Sequence, residues 1–320
     1  LGASRTAYAA WISVCIVWGT TYLAIRIALE TIPPALIGGL RFTAAGAILL
    51  LFLRARGERL PGPSTWINLA LLGFLMLLLG NGGVVWAQQW VPSGLAAILV
   101  AAQPFWIAGV ESVLPRGERL TRRTFAGLLI GFGGILVLVW PDLMAGGGSG
   151  RQFVFGVIAI QVACLGWSLG SSYSRRRPAQ ENAIAASAYQ MLFGGVWFLA
   201  IATWRGEWSD LTFTPRTLAA EAYLVFFGSF AGYSAYIYAL KHLPIATVSL
   251  YTYINPVIAV LLGSLVAGEP FGLRVVVGAS IVLLAVAIVR MAPRSDVRAY
   301  PATIGRSSAF GHREPGPEHD

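Results

Sequence analysis

The chain has 320 residues, of which 56% are hydrophobic and 12% charged, with a mean hydropathy of +0.68. A soluble domain carries about twice that share of charge, which excludes a water-soluble enzyme or binding module as the broad class. The net charge of +9 would suit a nucleic acid, but the basic residues fall in short clusters between apolar runs, as charge flanking membrane spans does.

A helix needs about 20 mostly apolar residues to cross about 30 Å of hydrocarbon. Segments that qualify lie at 8–28, 34–53, 66–88, 93–113, 122–140, 153–174, 182–204, 217–240, 245–266 and 272–291. The expected fold class is therefore an all-α integral membrane protein with ten transmembrane helices. The first run follows Arg5, lacks a small-residue cleavage site, and reads as a span rather than a signal peptide. Cys15 and Cys164 lie inside apolar runs and read as small buried side chains. In the second span, Arg41 interrupts IGGLRFTAAGAILLLFL (37–53), where a guanidinium costs about 2.5–3.5 kcal/mol on insertion scales. The connections are short: PGPS follows the second span and GGGSG the fifth. The tail, 292–320, is rich in Pro, Gly and charge and reads as disordered and cytoplasmic.

Counting Lys and Arg places 17 on the side that holds both termini and 5 on the other, with Arg41 completing the 23. Both termini are thereby expected in the cytoplasm. The two halves also align in order. At an offset of 149, Cys15 meets Cys164, Trp18 meets Trp167, Arg26 meets Arg175 and Gly46 meets Gly195. At 152, Gly80 meets Gly232, Pro92 meets Pro244 and Pro104 meets Pro256. Five spans per half is an odd number, so the halves, 8–140 and 153–291, are expected as inverted repeats. That is a signature of secondary transporters with a site between the halves.

IVWGTTYLAIR at 16–26, LRFTAAG at 40–46, GNGG at 80–83, INPVIAVLLG at 254–263 and GE at 117–118 and 268–269 carry a resemblance. They resemble the EamA-domain transporters of the drug/metabolite transporter superfamily, in particular its YedA-like exporters. The resemblance covers about 8–291. It implies a bundle of five plus five inverted helices around a central cavity, in a bacterial inner membrane. It also implies outward movement of small metabolites, amino acids or drugs among them, without fixing the substrate.

Polar and aromatic side chains within spans mark the expected pathway. Asn81, inside GNGG, points to a loosened third helix whose backbone could meet a substrate, or else to a glycine packing patch. Gln103-Pro104 and Asn255-Pro256 are repeat mates. Their amides either satisfy carbonyls at a proline kink or contact substrate. Trp18, Tyr22, Trp86, Trp106, Trp167, Tyr189, Tyr233, Tyr236 and Tyr251 are candidates for an aromatic lining, with Gln190, the mate of Arg41, beside them. Arg41 itself has three fates: snorkelling, pairing with helix-end carbonyls or a carboxylate such as Glu30, or facing the cavity as an anion site. Glu118 and Glu269 sit by glycines at helix starts and read as caps or as gating ion-pair partners.

Within the spans the carboxylate singled out is Glu111, near the cytoplasmic end of the fourth, and no acid is expected at mid-depth. That favours a facilitator, with proton coupling left open. The three histidines lie outside the spans, no HExxH occurs and no pair of aspartates falls within them, so the parts of an intramembrane protease are missing and no enzymatic activity is expected. No cofactor or metal is expected. The expected partners are a small-molecule substrate and membrane lipids, without nucleic acid; the oligomeric state stays open, and a monomer suffices. Rival readings are a lipid-linked sugar flippase and a non-transporting membrane scaffold.

Overall fold

The computed structural model describes residues 2–115, 122–144, 148–177, 182–243, 248, 251–269 and 272–290. The roles expected of Glu118, of the Pro92–Pro244 match and of the tail lie outside these residues. Among the described residues the secondary structure is helical throughout, with no strand.

In chain order α1 is Gly2–Ala28, α2 Pro34–Ala55, α3 Pro63–Ala87 and α4 Ser93–Val113. Then come α5 Arg122–Met144, α6 Gly148–Arg176 and α7 Ala183–Trp204. A short 3-10 turn, Glu207–Ser209, leads to α8 at 215–242, α9 Tyr251–Ala267 and α10 Leu273–Arg290. These positions match the expected segments to within a few residues at most ends; α1 and α6 begin five or six residues earlier, and the expected start of the ninth segment at 245 lies outside the described residues. By length and composition α1, α2, α3, α4, α6 and α7 are apolar and long enough to cross a membrane. Shorter apolar helices are Phe125–Leu138, Tyr251–Ala267 and Leu273–Ala285, so this criterion reaches six spans rather than ten. Large apolar side chains such as Leu51, Phe125, Leu129, Phe155 and Leu261 face outward. A water-soluble surface seldom tolerates so much apolar exposure, whereas lipid is the solvent that suits it.

Local chemistry explains several helix starts. Proline opens α2, α3 and α8, where its missing N–H is no loss. Thr214 and Thr217 close a capping box on α8, and the Asn182 side chain accepts from Ile184 N at 3.0 Å on α7. The residues before α2 and α4, Pro33 and Pro92, have no side chain able to cap. Distant carboxylates take that place. Glu207 accepts from Ala35 N at 2.9 Å and Leu36 N at 3.3 Å, while Glu269 accepts from Ser93 N at 2.7 Å and Gly94 N at 3.0 Å. Glu269 is thus a cap, as its sequence position implied, but for a helix of the other half. We expect Glu269→Ala to lower stability by about 0.5–2 kcal/mol, the usual range for a lost cap. A fall in melting temperature of the purified protein in detergent, without change at Glu269→Asp, is the corresponding measurement.

Contacts between the halves are reciprocal. Helix α1 packs on α8 and α9, and its repeat mate α6 packs on α3 and α4. Helix α2 lies against its own mate α7, and α5 against its mate α10. Glycines let these backbones approach. A Cβ at Gly46 would meet Ala188 O and Leu192 N at 2.9 Å, and one at Gly195 would meet Thr43 N at 2.7 Å.

Candidate functional site

Seven helices, α1, α2, α3, α4, α6, α8 and α9, enclose a cavity of ≈ 140 Å³. A space of this size admits a benzene-sized group. Two features of the walls come from irregular helix. Gly73–Asn81 of α3 and Leu224–Ala231 of α8 are π-helical, and they are repeat mates. A π turn misaligns backbone groups that an α-helix would pair internally. Gly228 O in α8 accepts from Trp18 Nε1 at 3.2 Å. The GNGG stretch combines an altered helix with a glycine packing patch. Asn81 lines the cavity beside an altered helix, while Gly80 and Gly83 give close approach to Trp167 and to Ala159 and Ala163 of α6.

Arg41 is 6% exposed and lines the cavity. Its Nε donates to Ser229 Oγ at 2.8 Å and its guanidinium lies 4.8 Å from the centre of the Phe42 ring. Its terminal nitrogens have no hydrogen-bond partner among the described residues. Snorkelling is ruled out by this burial. Pairing with Glu30 is ruled out as well, because Glu30 is bound to Arg216 at 3.2 Å. A guanidinium offers a planar fork of donors whose geometry matches a carboxylate or phosphate.

The amide pair obeys the repeat. Gln103 Nε2 donates to Cys164 O at 2.9 Å and to Ser168 Oγ at 2.6 Å. With its amide oriented by its surroundings, Asn255 Nδ2 donates to Cys15 O and Tyr251 O, each at 3.0 Å. Cys15 and Cys164 are repeat mates, so each amide ties α4 or α9 to the first helix of the opposite half. Both amides also line the cavity, so the carbonyls they satisfy belong chiefly to a neighbouring helix rather than to a kink in their own.

Trp18, Tyr22, Trp167, Tyr233 and Tyr251 complete the part of the expected lining that reaches the cavity. Others lie elsewhere. Trp86 stacks edge-on with Trp90 at 4.7 Å near the surface, and Trp106 donates to Gln161 Oε1 at 2.9 Å while packing on Phe132. Tyr189 packs on Trp66 and Phe193, and Gln190 points its amide toward Met76 Sδ at 3.5 Å. Tyr236 lies behind the lining, with its ring 5.1 Å from Trp18 and 5.9 Å from Tyr251. Period alone places these residues on helices but does not say which face turns inward. Thr21, Ser229 and Thr252 also line the cavity; as small hydroxyls in apolar runs they gave little signal.

Glu111 is bound by Ser172 at 2.5 Å, Arg175 at 2.8 Å and Arg176 at 2.9 Å. It ties the end of α4 to the end of α6, away from the cavity. Glu111 is not the lone carboxylate of the expected spans: Glu221, inside the expected segment 217–240, lies six residues into α8 and is 5% exposed. At 1.5 Å per residue that is about 9 Å along the helix, a depth like that of Arg41 on α2. Its signal was legible as a lone carboxylate in AAEAY, 219–223. One further pattern, GWSLG at 166–170, has the GxSxG spacing of a hydrolase nucleophile elbow. It lies within α6, not on a strand-to-helix turn, and Ser168 Oγ donates to Cys164 O at 2.8 Å. It is helix packing. Among the described residues no group of His, Cys, Asp and Glu could hold a metal.

The EamA-like transporter family matches the chain twice, over residues 5–140 and 154–291. This chain belongs to that family. The inner membrane transporter YedA of Escherichia coli strain K12 is 35% identical over 287 residues, covering 89% of this chain and 90% of YedA. A chloroplastic WAT1-related protein of Arabidopsis thaliana is 27% identical over 286 residues, covering 87% of this chain and 68% of its own. A solved crystal structure shares the fold, with a TM-score of 0.58, 22% identity, and coverage of 89% of this chain and 97% of that one. This EamA-like transporter is accordingly a multi-pass membrane protein built from two family repeats, and its general role is transport.

Proposed function

We propose that this EamA-like transporter is a secondary exporter of small carboxylate-bearing metabolites, amino acids and related amphipathic compounds above all, working by alternating access in a bacterial inner membrane. The observation that carries the reading is Arg41: a buried guanidinium at the cavity wall, held through Nε by Ser229, with its outer donors turned to no protein partner among the described residues. Trp18, Trp167, Tyr233 and Tyr251 would receive the apolar part of such a substrate, and Asn81, Gln103 and Asn255 its polar groups. Ten spans in two inverted repeats of five are part of the proposal. The reciprocal contacts of α1 with α8 and α9, and of α6 with α3 and α4, support them. A pair of half-bundles related in this way can rock about a site held between them. The location draws support from the name of YedA, an inner membrane transporter.

Counterflow in proteoliposomes tests the activity. Purified protein should exchange labelled amino acids or related carboxylates against an unlabelled pool, and no exchange across a broad metabolite panel would leave a membrane scaffold as the better reading. Orientation, with both termini cytoplasmic, has its own test in a background lacking Cys15 and Cys164. A cysteine at exposed Asp210 should react with an impermeant thiol reagent from outside intact cells, and one at exposed Arg59 should not. The reverse pattern would invert the topology.

A further inference from the structure

The repeat fixes which contacts between the halves can change. Pairs made of mates, α2 with α7, α4 with α9 and α5 with α10, map onto themselves when the halves are exchanged. The contacts of α6 with α3 and α4 map instead onto those of α1 with α8 and α9. In alternating access these two sets trade places, one closed while the other opens.

Polar groups tie the first set at one end. Glu111 of α4 meets the last turn of α6 eight residues past Gln103 and Trp167 of the lining, about 12 Å along each helix. Its side chain is 7% exposed. Ser172 Oγ donates to Oε1 at 2.5 Å, Arg175 to Oε1 at 2.8 Å, and Arg176 to both oxygens at 2.9 Å. On α3, Asn68 Oδ1 accepts from the Tyr173 hydroxyl at 2.6 Å. At the repeat offsets of 149 and 152, Ser172, Tyr173, Arg175 and Arg176 answer to Leu23, Ala24, Arg26 and Ile27, and Asn68 and Glu111 to Ala220 and Gly263. Arg26 alone keeps its character, and it donates within its own half, to Gln88 O at 2.7 Å. At that opposite end α1 meets α8 through the hydroxyl pairs Thr20–Tyr223 and Thr31–Thr217, and Glu30 meets Arg216 with both side chains exposed. An exposed ion pair contributes little, whereas a buried carboxylate is costly to strip of its guanidinium partners.

Resting on the alternating-access reading, we propose that the Glu111 cluster is the latch of one gate. Through Ser172, Arg175 and Arg176 it holds α4 and α6 shut over the cavity, on the side assigned to the cytoplasm, and Tyr173 with Asn68 adds α3. Among the described residues the traded set, α1 with α8 and α9, has no buried ion pair to match. The unloaded transporter therefore rests with the latched side closed, and entry of a ligand from that side requires the arginines to release Glu111.

The test reads the side from which the cavity is reached, with the full chain in native membranes. In a background lacking Cys15 and Cys164, Val84→Cys places one thiol in the lining. A sulfonate-bearing methanethiosulfonate is then added to right-side-out and to inside-out vesicles. Glu111→Gln keeps the shape and removes the charge. It should speed labelling from the latched side about tenfold, since loss of a charge-assisted hydrogen bond moves a two-state balance by that order. Labelling from the other side should not rise. Tyr173→Phe should act in the same direction by about two- to tenfold, and it decides the matter if Glu111→Gln fails to fold. Where wild type labels from both sides, rates that the variants leave unchanged, or raise equally on both sides as a loosened fold would, overturn the latch alone. A cavity reached from at most one side, in wild type and in both variants, overturns alternating access and this proposal with it.

Discussion

Arg41→Lys should fold and express like wild type yet bind carboxylate substrates about 10- to 100-fold more weakly. The loss follows from geometry. Arg41 fixes Nε on Ser229, which leaves the planar fork of its two terminal nitrogens for the ligand. A lysine ammonium has a similar charge but cannot serve both partners in a plane. A hydrogen bond to a charged group contributes about 1.5–3 kcal/mol, and each 1.4 kcal/mol is tenfold in affinity. Arg41→Gln should lose more, since it removes the positive charge as well as the fork. Analogues that lack the carboxylate should be little affected by Arg41→Lys. Binding measured by calorimetry for matched pairs of ligands decides the matter. Equal losses for both members of a pair, or collapse of the folded protein, would assign Arg41 to structure.

Gly195→Leu should abolish the folded monomer. Gly46 and Gly195 are repeat mates, and each is pressed against the backbone of the other's helix where α2 meets α7. Overpacking in a tight core costs about 1–3 kcal/mol when neighbouring side chains can shift. Here the first atoms that an added Cβ would meet include the Thr43 backbone nitrogen at 2.7 Å, so the helices themselves must part. We expect loss of the monodisperse peak in size-exclusion chromatography for Gly195→Leu and for Gly46→Leu. Gly133→Ala is the control, because a Cβ there meets nothing within 4 Å. A monodisperse, wild-type-like Gly195→Leu would show that α2 and α7 can separate without loss of the fold.

Much of the architecture was legible from residues alone, and the reason is the solvent. In hydrocarbon every backbone group must be paired within its own segment, so a long apolar run has little choice but helix. Hydropathy therefore located most helix ends to within a few residues, and matched Cys, Trp, Gly and Pro positions exposed the two repeats. Arg41 stood out for the same reason, as a charge where charge is costly.

Which side chains share the cavity was decided by tertiary structure. Trp18 and Trp167 line it while Trp86 and Trp106 do not, although all four are aromatic residues in apolar helices. Facing depends on how helices rotate against one another, and the hydrophobic pattern hardly specifies rotation when lipid and protein interior are both apolar. The caps that Glu207 and Glu269 supply to distant helices are long-range in the same sense. Each joins residues more than a hundred positions apart, and no local period records that meeting. The sequence determined the solvent, the helices and the repeat; the packing of one half against the other decided which few polar groups meet at the centre.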